Sequence, residues 1–246
     1  MGIAVLIRHA RRRPFVLAIC LSLLAFGAGA GTVPNPGLAA DALPECRYDD
    51  LLTRYSAKKH WRITLLDSIY RVPRSYVPPR LVSTSRAGLN AGGRVRRLLL
   101  RDLSQLATGA RLAGAPLRVV SAYRSYDLQA YLFRREVRNK GRQRALISVA
   151  RPGHSEHQLG TAIDFGSANT SKKAWSYSDW AQTPAGAWLK KNGWRFGFVM
   201  SYPKRHRSVT CYMYEPWHWR YVGREMAAKV RASGLTLREY QWFNFH

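Results

Sequence analysis

Carboxylates are scarce in this chain, with 14 Asp and Glu against 40 Lys and Arg and a formal charge of +26. So basic a chain is steered towards polyanions: cell-wall polymers, anionic headgroups or nucleic acid. The arginines, however, are scattered, and no zinc-finger, helix-turn-helix or aromatic RNA-binding pattern accompanies them, so no specific nucleic-acid partner is expected. After residue 30 no apolar run could span a bilayer. Internal repeats and long low-complexity linkers are also missing. That leaves one compact domain over most of the 246 residues.

The first forty residues have a different character. Arg8, Arg11, Arg12 and Arg13 form a basic start, Phe15 to Phe26 is apolar apart from Ser22, and small residues follow. Ala28-Gly29-Ala30 and Leu38-Ala39-Ala40 are candidate cleavage sites, so residues 1–40 are expected to be a signal peptide or an N-terminal membrane anchor with its processing region. Removing them lowers the formal charge only from +26 to +22. The domain proper is residues 41–246, exported to the cell envelope. Of three cysteines, Cys20 lies in the apolar run as a small hydrophobe. Cys46 and Cys211 remain, and in an exported chain such a pair is expected to form a disulfide.

Residues 44 to about 90, interrupted by Pro73, Pro78 and Pro79, are expected to be looped or extended. Leu99, Leu103, Leu106, Ala107 and Ala110 have helical spacing, and Gly114 closes that helix. Leu117–Ser121 is expected as a strand. The next helix is capped by Ser125 or Asp127 and runs towards Gly141, with Leu128, Tyr131, Leu132 and Val137 as its expected buried stripe. Thr161–Phe165 is strand-like, and Thr183-Pro184 opens a helix that stops at Gly193. Trp194–Val199 and Glu215–Val222 are expected as strands, with a helix between Gly223 and Gly234. This order lacks regular βαβ alternation, which favours an α+β domain with a small antiparallel sheet flanked by helices.

The chemistry is concentrated in Ser155-Glu156-His157-Gln158-Leu159-Gly160-Thr161-Ala162-Ile163-Asp164 and the distant Glu215-Pro216-Trp217-His218. Two histidines and a carboxylate, here His157, Asp164 and His218, can hold a catalytic Zn2+ while leaving a position open for water. Glu215 is then free to act as a base. Because Glu215 precedes His218 by three residues, a straight strand would point them to opposite faces. Pro216 must therefore mark a bend if both serve one site. Glu156 is expected to support a ligand from behind, and His154 to lie at the pocket rim. Trp194, Trp217 and Trp219 are expected as core or pocket wall.

These motifs, with Ser121-Ala122-Tyr123-Arg124-Ser125-Tyr126 and Gln129, resemble the VanY-type zinc D-alanyl-D-alanine carboxypeptidases of the DD-peptidase/hedgehog fold group. The resemblance covers Pro116 to Gly223 and implies that fold. It implies His157, Asp164 and His218 as zinc ligands, Glu215 as general base, and Arg124 as the arginine that meets an oxyanion or a substrate carboxylate. Ser121, Gln129 and Ser155 are implied as hydrogen-bond donors to the substrate. The implied reaction is hydrolysis of the C-terminal D-Ala-D-Ala bond of peptidoglycan stem peptides, in a periplasm or an extracellular wall. L,D-carboxypeptidase or endopeptidase activity with the same zinc site, and a non-catalytic wall-binding module of the same fold, are the alternatives.

Overall fold

The computed structural model describes residues 42–246. The expected leader or anchor, and Cys20 within it, lie outside the described residues. Among those described, no helix is long and apolar enough to cross a membrane.

The N-terminal stretch is mostly looped, as its prolines require. It carries two short strand pairs: parallel β1 (Leu51–Leu52) with β2 (Tyr70–Arg71), and antiparallel β3 (Leu81–Ser83) with β4 (Arg94–Arg96). Helix α1 (Leu100–Leu112) follows and buries Leu103, Leu106, Ala107 and Ala110. Then come β5 (Leu117–Ser121), α2 (Tyr126–Lys140), α3 (Arg142–Ser148) and β6 (Ala162–Ser167). The chain continues through α4 (Pro184–Asn192), β7 (Phe198–Met200), the single turn α5 (Arg207–Thr210), β8 (His218–Tyr221), α6 (Arg224–Ser233) and α7 (Leu237–Phe245). Strands β5, β6, β8 and β7 form, in that spatial order, a four-stranded antiparallel sheet. The expected α+β class is the observed one.

The alternation of side chains along a strand divides this sheet into a structural face and a chemical face. Ile163 and Phe165 of β6, Trp219 and Tyr221 of β8, and Phe198 of β7 enter the main core with Leu99, Leu103, Leu106, Trp180 and Leu189. Asp164 and His218 therefore point the other way, and the β6–β8 register sets them opposite each other. A second cluster joins Val222, Met226, Ala227 and Val230 to Leu237 and Tyr240, with Trp194 packed against it.

Several boundaries differ from expectation. Thr183 caps α4 by accepting from the Gly186 N–H, with Pro184 in the first turn as expected. Residues 193–196, by contrast, form a 3-10 turn closed by Gly197, and β7 begins only at Phe198. In α2 the buried residues are Gln129 and Phe133, whereas Leu128 and Tyr131 are 44% and 49% exposed. The predicted stripe there was one residue out of phase, because a polar Gln129 occupies the inward position. Helix α7 was not foreseen, although Thr236 and Glu239 form a capping box at its start.

The disulfide Cys46–Cys211 is formed. Beside it, buried Arg238 donates from Nε to Asp67 Oδ2 at 2.7 Å, from Nη1 to the Val209 carbonyl at 2.8 Å and from Nη2 to the Pro44 carbonyl at 3.0 Å. The N-terminal segment is thus fastened to the loop ahead of Glu215 by a covalent bond and an arginine clasp. His154 belongs to the same structural region. It is wholly buried, with Nδ1 2.8 Å from the Asp67 carbonyl and Nε2 2.8 Å from Asp50 Oδ1, so it is not a rim residue.

Candidate active site

Three segments bring the ligating atoms together. His157 sits on a 3-10 turn over Glu156–Leu159, which Gly160 ends at φ +70°. A Cβ there would lie 3.0–3.1 Å from Pro78, Arg96 and Leu81, so both the backbone angle and the close packing call for glycine. Two residues later β6 begins and delivers Asp164. His218 opens β8 beside it.

His157 Nε2 lies 3.2 Å from Asp164 Oδ1 and 3.2 Å from His218 Nδ1, and His218 Nδ1 lies 3.1 Å from Asp164 Oδ1. Bonds of about 2.0–2.1 Å in tetrahedral geometry require a separation of about 3.3 Å between ligand atoms, so this near-equilateral triangle fits one zinc ion. The remaining imidazole nitrogens are already engaged. His157 Nδ1 donates to the Ala122 carbonyl at 2.6 Å, and His218 Nε2 to Glu156 Oε2 at 2.8 Å. These bonds set the tautomers, so that each imidazole in its neutral form aims its lone pair inward. With three protein ligands, a further coordination position stays open, as a catalytic centre needs.

Glu156 is the expected support, and the histidine it backs is His218 rather than its neighbour. Its carboxylate also accepts from Ser201 Oγ at 2.5 Å and from Arg220 Nη1 at 3.0 Å. Arg220 is fully buried and donates from Nη2 to the Trp61 and Thr64 carbonyls. Burial opposes ionisation of Glu156, but the Arg220 charge and the His218 contact overcome it and bring its pKa to about 2. Asp164 is likewise held below the ordinary carboxylate range, burial being outweighed by His157 and His218. Burial and then the Arg124 charge push His157 down to about 4.

The bend required at Pro216 is present. The His218 N–H donates to the Glu215 carbonyl at 3.0 Å, Pro216 and Trp217 form the turn, and β8 starts only at His218. Pro at the second turn position suits its fixed φ. The turn replaces the straight strand expected over Glu215–Trp217 and brings Glu215 Oε2 to 3.9 Å from His218 Nδ1. Burial raises Glu215 to about 7 against the lowering effect of His218. Tyr202 serves both residues: its carbonyl accepts from the Glu215 N–H at 3.1 Å, and its ring lies 4.8 Å from that of His218.

Arg124 Nη2 lies 3.6 Å from Asp164 Oδ2, and its buried Nε has no partner among the described residues. Ser121 ends β5 opposite Asp164, and Ser155 is buried at the start of the His157 turn. Gln129 is buried in the first turn of α2. One N–H of its Nε2 is given to the Ala150 carbonyl at 2.6 Å, and its Oε1 has no partner among the described residues. The sequence reading assigned no role to Ser201, Tyr202 or Arg220. Only Arg220 lies inside a recognisable motif, and nothing local distinguishes a fully buried arginine from a surface one.

A His-Asp-His triangle with a carboxylate at its edge, carried on an antiparallel sheet of an α+β domain, defines a zinc peptidase. The D-alanyl-D-alanine carboxypeptidase family VanY matches residues 93–224. The chain belongs to that family. YodJ of Bacillus subtilis (strain 168) is 35% identical over 183 residues, which are 72% of this chain and 66% of YodJ. The LdcB LD-carboxypeptidase is 36% identical, with a TM-score of 0.62 over 72% of this chain and 83% of that one. The vancomycin-resistance D,D-pentapeptidase VanY from a VanB-type cassette, solved with Zn(II), is 31% identical, with a TM-score of 0.62 over 73% of this chain and 98% of its own. VanYB in complex with D-alanine-D-alanine matches with the same identity and TM-score over 97% of its length.

Proposed function

We propose that this protein is an exported zinc carboxypeptidase that hydrolyses the C-terminal D-Ala-D-Ala bond of peptidoglycan stem peptides. The observation that carries the reading is Glu215, turned by Pro216 to the edge of the His157–Asp164–His218 triangle, its carboxylate 3.9 Å from His218 Nδ1. His157, Asp164 and His218 would hold the zinc, which when bound polarises a carbonyl and acidifies water. Glu215 takes the proton of the attacking water and returns it to the leaving amine, the task of a carboxylate positioned beside the metal. Arg124 offers its forked donors to the substrate's terminal carboxylate or to the developing oxyanion. Ser121, Gln129 and Ser155 supply hydrogen-bond donors to the stem. The disulfide supports a compartment outside the cytosol, periplasm or wall, and the basic surface supports retention by anionic wall polymers.

L,D-carboxypeptidase activity is the second reading, favoured by the 36% identity to LdcB. Zinc-loaded protein incubated with a defined stem pentapeptide and a tetrapeptide, with the products weighed, separates the two. Loss of D-alanine from the pentapeptide alone supports the D,D reading, and loss from the tetrapeptide the L,D reading. An internal cut would mark an endopeptidase. Wall binding without cleavage of any stem would mark a non-catalytic module, although all four catalytic positions are filled here.

A further inference from the structure

The face of α2 turned away from the core combines exposed apolar side chains with uncompensated charge. Leu128 and Tyr131 are 44% and 49% exposed, and Arg135 and Arg138 continue the same stripe at helical spacing. Gly141, at φ +77°, joins α2 to α3, which adds Arg142 and Arg144. Those four arginines and Arg134 are exposed, and none makes an ion pair with a described residue. The nearby acid, Glu136, is occupied by Lys140 at 2.8 Å and by the Ser148 hydroxyl. The Arg135 guanidinium lies 5.9 Å from the Tyr131 ring centre, so cation and aromatic ring share one patch.

Five clustered cations repel one another, and the one carboxylate that feels them, Glu136 beside Arg135, is already paired with Lys140. Arginine forks suit phosphate oxygens, while a leucine and a tyrosine left in water suit the boundary between headgroups and acyl chains. We propose that the α2–α3 hairpin docks on an anionic lipid bilayer, its arginines on headgroup phosphates and Leu128 and Tyr131 in the interfacial layer. A soluble polyanion would engage the arginines equally but would leave the two apolar side chains without a role. Helix α2 starts two residues after Arg124, so the contact begins with Leu128 in the first turn and its α2 arginines lie farther along the helix from the site.

The test is co-sedimentation of the full chain with phosphatidylcholine vesicles, with and without phosphatidylglycerol. The N-terminal apolar segment gives every protein the same background, measured on the phosphatidylcholine vesicles, and the readout is the increment that phosphatidylglycerol adds at low protein coverage. Wild type is expected to bind phosphatidylglycerol vesicles preferentially and to release in high salt. R134Q/R135Q/R138Q/R142Q/R144Q is expected to bind them roughly tenfold or more weakly, and L128S/Y131S severalfold more weakly. Both variants should keep the wild-type circular dichroism and zinc content, readouts that do not depend on which bond the enzyme cuts. Equal vesicle binding by wild type and the arginine variant would overturn the proposal. So would full competition by soluble polyglycerol phosphate combined with unchanged binding by L128S/Y131S, which would assign the patch to a polymer.

Discussion

His218 Nε2 donates to Glu156 Oε2 at 2.8 Å while its Nδ1 faces Asp164 and His157, so one imidazole joins the buried Glu156–Arg220 ion pair to the metal triangle. Replacing Glu156 by Gln would disturb both halves of this arrangement. The imidazole loses a charged acceptor, and buried Arg220 loses its counter-charge. Zinc affinity is expected to fall about 10–100-fold and stability by about 3 kcal/mol, measured by chelator competition and denaturant unfolding. Unchanged values for both would remove Glu156 from this role.

Gln keeps the size of Glu215 and its backbone bond to Tyr202, so Glu215→Gln should fold and bind zinc as wild type does. Its turnover of a stem peptide is expected to fall about 10²–10⁴-fold, the range of a positioned general base. Mass analysis of products beside metal content checks this, and wild-type turnover would exclude Glu215 as the base.

In the metal-free protein burial works against a charged His218, but hydrogen bonds and negative charge from Asp164 and Glu156 raise its pKa from 6.5 to about 10. Zinc needs the neutral imidazole, so binding expels that proton, and apparent affinity should rise about tenfold per pH unit from pH 7 to 9. The same shift predicts that His218 stabilises the metal-free fold fully below pH 6.5 and loses that contribution as pH rises towards 10. Zinc titrations and unfolding of chelated protein at several pH values test both slopes. A flat affinity profile would contradict the assignment.

Arg124 is the cation nearest the triangle, 3.6 Å from Asp164 Oδ2. Arg124→Lys keeps the charge but loses the fork, and catalytic efficiency should fall by about 10²-fold or more. If the loss appears mainly in KM, Arg124 binds a ground-state carboxylate, and if in kcat, the oxyanion.

Cys46 and Cys211 are bonded across 165 residues. Neither should react with a thiol reagent until the protein is reduced. Cys46→Ser is expected to cost about 2–5 kcal/mol of stability. Two reactive thiols at these positions in the unreduced native protein would refute the bridge.

Much of the site was legible because its groups lie in short motifs whose chemistry is local. His157 and Asp164 are seven residues apart, and Glu215 and His218 three, so their spacing alone demanded the bend that Pro216 makes. Leu128, Tyr131 and His154 were misread because burial depends on neighbours distant in sequence. Gln129 turns inward to the Ala150 carbonyl, and His154 is enclosed by Asp50 and Asp67.

The sequence by itself determined the kinds of group available: two histidines and an aspartate for a metal, a glutamate for a base, a pair of cysteines, and an excess of positive charge. Only the tertiary structure decided their relations. The β6–β8 register set Asp164 against His218, and the fold chose Glu156, Arg220 and Tyr202 to hold His218 in place. The division has a physical cause. Ligand chemistry belongs to a residue wherever it stands, whereas strand register, burial and shared hydrogen bonds arise only when distant segments exclude water together.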